Sequence, residues 1–205
     1  MDLKIIDLGL IDFKYAWARQ KELFREVKEG SLRSGLIVCQ HHPVITVSRR
    51  ADRNNILVSR EALKDKGIAI YEVERGGDVT YHGPGQFIAY PVFNLNYFKK
   101  DIHWFLRHLE ELIIRCLNNS GIKGERAAGK TGVWAGKLKI ASIGIAVRNW
   151  ITFHGLSINV KSSDLTNFSL IRPCGMDIMV TSIESQTRKI VCMEEFKRSF
   201  LSLLK

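Results

Sequence analysis

The sequence predicts an α/β protein of the α+β kind, a mixed and mostly antiparallel sheet with helices packed on it. Three observations carry that expectation. Strand-like runs outnumber helical ones, they come in consecutive groups rather than in strict strand-helix alternation, and two segments repeat apolar residues at helical spacing. The 205 residues are 45% hydrophobic and 25% charged, with no linker or internal repeat, which suits a single domain over 1–205 with one sizeable core.

Taken in order, "LKIIDL" opens the chain as a strand. "IDFKYAWARQKELFREVKEG" then sets Phe13, Ala16, Trp17, Leu23, Phe24 and Val27 on one helical face, and Gly30 stops it. "GLIVCQ" and "VITVS" follow as strands. Between them "QHHPV" puts His41 and His42 on opposite faces, because strand side chains alternate, so no metal site is predicted there. A short helix is expected at about 60 to 66, then the strands "IAIYEVER" and "QFIAYPVFNL". "DIHWFLRHLEELIIRCLNNSG" is the second long amphipathic helix, with Asp101 as N-cap, Gly121 past its end and Cys116 within its apolar stripe as core packing. "GVWAG", "KLKIASIGIAV" and "HGLSINV" return to strand, and a helix at about 193 to 204 closes the chain. Cys39, inside an apolar strand, and Cys192, at the edge of the last helix, read as structural.

Composition narrows the function. No stretch approaches the roughly 20 apolar residues of a membrane span, and "MDLKIIDLGL" lacks a basic segment followed by an apolar run, so a cytoplasmic protein with no membrane partner is expected. Four scattered cysteines without a CxxC pair suggest neither a disulfide framework nor a zinc site. Lys and Arg number 31 against 21 Asp and Glu, a net charge of +10 that favours an acidic partner. The basic residues are spread along the chain and match no nucleic-acid module, so no nucleic acid is expected and an acidic protein fits.

Three stretches could carry chemistry. "RGGDVTYHGPGQ", residues 75 to 86, gathers Gly76, Gly77, Gly83, Pro84 and Gly85 around His82. It matches neither GxxxxGK[ST] nor GxGxxG, and its flanks look like strands, so no helix N-terminus awaits a phosphate. A glycine-rich hairpin would explain the glycines but not Arg75, Thr80 and His82 clustered with them. In "KLKIASIGIAV" the strand period puts Lys139 on the face of Ala141, Ile143, Ile145 and Val147, apolar company for a lysine that would otherwise flank the "AGK" turn and reach water. In "IRPCGMD", Cys174 stands between Pro173 and Gly175, off any periodic pattern. A thiol of pKa about 8.5 is only a few per cent thiolate near neutrality, so a nucleophilic cysteine needs a cation or base beside it, and Lys139 could be that partner. "FHGLSINV" adds Gly155 and, in a supporting place at the head of a strand, His154.

These segments, in this order, resemble those of the lipoate-biosynthesis octanoyltransferases, also called lipoyl(octanoyl) transferases: "RGGDVTYHGPGQ", "KIASIGIAV", "HGLSINV" and "PCG". The resemblance implies the fold shared with biotin and lipoate protein ligases. It also implies an enzyme that moves octanoyl from acyl carrier protein to a lysine of lipoyl domains, those of the 2-oxoacid dehydrogenase complexes and of the glycine cleavage H protein. Position by position, Cys174 matches the acyl-thioester nucleophile and Lys139 the lysine that activates it. Arg75, Gly76, Gly77, Asp78, Val79, Thr80, Tyr81 and His82, then Ser142, Ile143 and Gly144, then Gly155, Leu156 and Ser157, match the substrate-binding segments. No cofactor is implied, since the acyl group arrives already activated on the phosphopantetheine of the carrier. Backbone amides around Ser142 to Gly144 or Gly175 would be oxyanion donors. One alternative is an ATP-dependent lipoate or biotin protein ligase, which uses a lysine but no nucleophilic cysteine, and Cys174 stands against it. A non-catalytic carrier or nucleic-acid binder would need only the basic surface.

Overall fold

The computed structural model describes residues 3–173 and 178–204. Its strands form two sheets. Six of them, β1 (Leu3–Ile11), β2 (Ser34–His41), β6 (Gln86–Phe93), β7 (Val133–Ala135), β8 (Leu138–Arg148) and β9 (Ile151–Asn159), lie in the order β1-β2-β6-β9-β8-β7. The other three, β3 (Val44–Ser48), β4 (Ala69–Val73) and β5 (Val79–His82), lie in the order β4-β3-β5. β1 with β2 and β3 with β4 are parallel, and the remaining pairs are antiparallel, as the sequence predicts.

The continuous apolar runs of β2 and β6 follow from their place at the centre of the large sheet, covered on both faces. Helix α1 (Phe13–Lys28) lays Ala16, Leu23 and Val27 on one face, against Ile37, Cys39, Ile88 and Tyr90. Helix α3 (Ile102–Asn119) lays Phe105, Leu109, Ile113 and Leu117 on the other, against Leu36, Val38, Phe87 and Ala89, with Phe196 and Phe200 of α5 (Met193–Ser202) closing the same cluster. Alternate residues of β2 thus serve opposite helices, the two-residue period of a strand made visible. Asp101 caps α3 as expected, its carboxylate accepting the Trp104 N–H at 2.9 Å. The small sheet has its own core, in which Leu63 of α2 (Arg60–Asp65) meets Ile45, Val79 and Tyr81.

Four features differ from the sequence reading. Strand β5 lies inside the glycine-rich run, where no strand was expected. Helix α4 (Ile183–Thr187) was not foreseen, because five residues are too few for a 3.6-residue period to register. The glycine-rich stretch is not a hairpin: β5 pairs with β3 in the small sheet while β6 lies between β2 and β9, so the turn at 83–85 carries the chain from one sheet to the other. His154 sits inside β9 rather than at its head, with a left-handed φ of +56°. The bend has a visible cause beside it. The β6–β9 ladder runs as far as Ala89 opposite Leu156, and at Gly155 a Cβ would lie 2.1 Å from the Ala89 carbonyl oxygen, so only glycine allows the two backbones this approach. Among the described residues, no helix is long and apolar enough to cross a membrane.

Candidate functional site

A cavity of about 390 Å³ lies between the sheets, with Thr46, Val73 and Thr80 of the small sheet on one side and Tyr90, Ile143, Ile145 and Leu156 of the large sheet on the other. Leu106 and Trp134 extend its apolar wall. Of the stretch from Arg75 to His82, every residue lines it except Tyr81: Arg75, Gly76, Gly77, Asp78, Val79, Thr80 and His82 all do, while Gly83, Pro84 and Gly85 do not. Tyr81 is the correction. Strand alternation turns it into the small-sheet core, where its hydroxyl bonds to Asp164 and accepts from Asn167 Nδ2 at 2.9 Å. Ser142, Ile143, Gly144, His154, Gly155, Leu156 and Ser157 line the cavity too, as does Lys139.

The bare backbone at 76–77 is explained by what it lies against. Gly76 N–H donates to Ile145 O at 2.8 Å, which presses the loop onto β8. On β8, Gly144 faces it, and a Cβ there would come within 3.0 Å of the Gly76 carbonyl oxygen and 3.1 Å of Arg75 Cδ. Arg75 is in turn held by Thr46, its Nη2 donating to the Thr46 carbonyl at 2.7 Å and its Nε to Thr46 Oγ1 at 3.1 Å. The loop therefore forms one wall of the cavity with both its ends fastened.

Lys139 is 6% exposed, so its side chain is largely out of water. Its backbone N–H donates to Met179 O and its carbonyl accepts from Thr181 N–H, both at 2.9 Å, a parallel pairing that fastens the segment after "PCG" to the start of β8. Nζ lies 5.2 Å from the centre of the Trp134 ring, within cation-π range. Gly132 passes so close that a Cβ there would meet Lys139 Cε at 2.9 Å. Cys174 and Gly175 lie outside the described residues; Pro173 and Ile178, on either side of them, both line the cavity.

Two parts of the site carried no clear signal in the sequence. One is the carboxylate of Glu110, 1% exposed on the buried arc of α3, which accepts from Arg107 Nη1 at 2.6 Å, Arg126 Nε at 3.1 Å and the Gly132 N–H at 3.2 Å. It ties the loop that covers Lys139 to the helix. The other is the burial of His41, which hydrogen-bonds the cavity-lining Tyr90 and lies near His82, the histidine the sequence did single out. His41 Nδ1 donates to Ile11 O at 3.0 Å, so its Nε2 accepts from the Tyr90 hydroxyl at 2.7 Å. His82 Nδ1 donates to Gln86 Oε1 at 3.0 Å.

Burial disfavours the charged form of these rings and pushes His82 down to about 3 and His41 down to about 4. Burial also lowers His154, opposed by the Glu74 carboxylate at 3.7 Å. His41 and His82 must charge on unfolding, so their contribution is intact above the ordinary value near 6.5 and is lost as pH falls toward the folded values. Between pH 7 and 5 the unfolding free energy is therefore expected to drop by about 1–2 kcal/mol for each of His41 and His82. Urea titrations at the two pH values measure this. Equal stability at both would mean the rings are not held neutral.

Most of the lining is apolar, with the buried Lys139 on its wall and Arg75, Asp78 and Lys130 as its other charged residues, and an apolar space with a few placed polar groups is the common form of a small-ligand site. Comparison with known proteins is consistent with such a site. The family model described as the lipoyl protein ligase A/B catalytic domain matches residues 12–205. An octanoyltransferase of Geotalea uraniireducens is 44% identical over 196 residues, 95% of this chain and 88% of that protein. One from Caldicellulosiruptor saccharolyticus is 45% identical over 187 residues, 90% of this chain and 79% of that protein. Among solved structures, one from an archaeal lipoylation system, a bi-partite lipoate protein ligase and its E2 lipoyl domain from Thermoplasma acidophilum, superposes on 100% of this chain and 82% of that one with a TM-score of 0.76 at 17% identity, which shows a common fold. The chain belongs to the octanoyltransferases of the lipoyl protein ligase A/B catalytic domain family.

Proposed function

We propose that this enzyme takes an octanoyl group from acyl carrier protein onto Cys174 and passes it to a lysine of a lipoyl domain, with Lys139 moving the protons. The observation that carries the reading is the backbone pairing of Lys139 with residues 179–181, together with Pro173 and Ile178 on the same cavity wall. A buried amine and the described residues that flank the "PCG" cysteine segment, Pro173 and Ile178, border one space. No cofactor enters the scheme, because an acyl thioester is already activated and an amide is the more stable product.

In the first step the Cys174 thiol gives its proton to the neutral Lys139 amine. The sulfur then bonds to the acyl carbon, and the bond from that carbon to the phosphopantetheine sulfur breaks, the departing thiolate taking the proton back from Lys139. In the second step the acceptor lysine, as free amine, attacks the acyl-enzyme. Its nitrogen bonds to the acyl carbon, the Cys174 thiolate leaves, and the shed proton returns to sulfur through Lys139. The backbone around Ser142 to Gly144 is the candidate donor set for the oxyanion formed in each step. Leu106, Trp134, Ile143 and Leu156 would wall the acyl tail, each buried methylene contributing about 0.8 kcal/mol.

Intact mass after incubation with octanoyl acyl carrier protein and no acceptor tests the scheme. The expected result is one added octanoyl group that disappears when a lipoyl domain is supplied. Octanoylated lipoyl domain accumulating with no adduct at any time would mean direct transfer, and a requirement for ATP and free octanoate would mean a ligase.

A further inference from the structure

The cavity opens to solvent where its lining residues are exposed, at Gly76 and Gly77 on one side and at Ile102, Lys130 and Thr131 on the other. Just beyond the first side lies the exposed turn of Arg49 and Arg50. It is fixed there by Ser48, whose Oγ donates to Gly77 O at 2.7 Å and whose N–H donates to Asp78 O at 3.3 Å. Among the described residues, none of Arg49, Arg50 and Lys130 makes an ion pair. Among nearby carboxylates, Asp78 accepts from Asn55 Nδ2 through one oxygen at 2.5 Å, Asp52 accepts the Asn54 N–H at 2.9 Å and Glu72 is paired with Arg53. Ile102, on the cavity lining, is 40% exposed, and Met179, whose backbone is hydrogen-bonded to that of the lining Lys139, is 66% exposed.

We propose that this rim, Arg49, Arg50 and Lys130 around Ile102 and Met179, is the docking surface for an acidic acyl carrier protein and that it serves the donor rather than the acceptor. The inference rests on the carrier-dependent reading above and adds the surface that recognises it. Cations that make no ion pair among the described residues, together with exposed apolar side chains, match a partner that presents carboxylates and joins its acyl arm through a phosphodiester, an anion that must stay at the mouth while the arm enters. The acceptor presents a single lysine side chain and brings no phosphodiester to the mouth. Arg49 and Arg50 stand outside the cavity lining, so their charge can act on encounter without touching the acyl chain.

The test is the double variant Arg49→Glu/Arg50→Glu, assayed with octanoyl acyl carrier protein and, separately, with octanoyl-pantetheine, which has neither protein nor phosphate. The expected result is a KM for the carrier raised tenfold or more, kcat within about twofold, a weaker dependence on salt, and unchanged turnover of octanoyl-pantetheine. Arg49→Lys/Arg50→Lys keeps the charge and should retain most of the carrier affinity. An unchanged carrier KM in an active glutamate variant would overturn the proposal, as would a rise confined to the lipoyl-domain KM, which would assign the rim to the acceptor. If wild type itself took no octanoyl from acyl carrier protein, the donor reading would fall and the rim with it.

Discussion

Cys174→Ala is expected to form no octanoyl adduct and to slow octanoyl transfer by at least ~10³-fold, because nucleophilic catalysis divides one difficult exchange into two easier ones and no other described thiol can take over. Cys39 and Cys116 are buried in the core, where burial pushes their thiols upward, Cys116 to about 12, far from the thiolate a nucleophile needs. Cys192 is exposed at the start of α5, and none of the three lines the cavity. Intact mass with the donor alone, then transfer assays with a lipoyl domain, measure both effects. The competing nucleophile is Lys139 itself, which would give an amide. Hydroxylamine cleaves a thioester and spares an amide, so an adduct that survives both hydroxylamine and the Cys174→Ala change would place the acyl group on nitrogen and end the proposed relay.

Lys139→Arg is expected to lose about 10²-fold or more in turnover, the usual scale of general acid-base catalysis. A guanidinium keeps the charge but cannot release a proton near neutrality, so it can pair with a thiolate without accepting a proton from a thiol or an amine. The larger head must also fit beside Gly132, whose backbone already crowds Lys139 Cε, and crowding alone could depress the rate. Lys139→Ala separates the two causes. If proton transfer is what is missing, small primary amines added to the alanine variant should restore part of the rate, more so at higher pH. Near-normal turnover of Lys139→Arg, or an alanine variant indifferent to amines, would reduce Lys139 to a structural lysine.

Much of this was legible before any coordinates. The long helices, their caps and the strand runs follow from local periodicity, which a chain carries wherever it folds. The cavity wall at 75–82 announced itself through glycines whose purpose no hairpin explained. Lys139 stood out by its apolar company. Other parts gave no such signal. Tyr81 sits in the same run as Thr80 and His82, yet its side chain belongs to the opposite face. Glu110 reads as one more charge on a helix until its carboxylate is seen holding two arginines and the Gly132 amide.

The sequence by itself determined most of the elements, the class of fold and the family, because helical and strand periods and short motifs are properties of neighbouring residues. The tertiary structure decided which strands share a sheet, that the turn at 83–85 crosses between sheets, and that Lys139 pairs with residues 179–181 some forty positions away. It also decided that Arg49 and Arg50 are held beside Gly77 and Asp78. Those facts depend on backbone hydrogen bonds and close approaches between distant segments, which form only when burial of both sheet faces brings the segments together, and no local pattern records them.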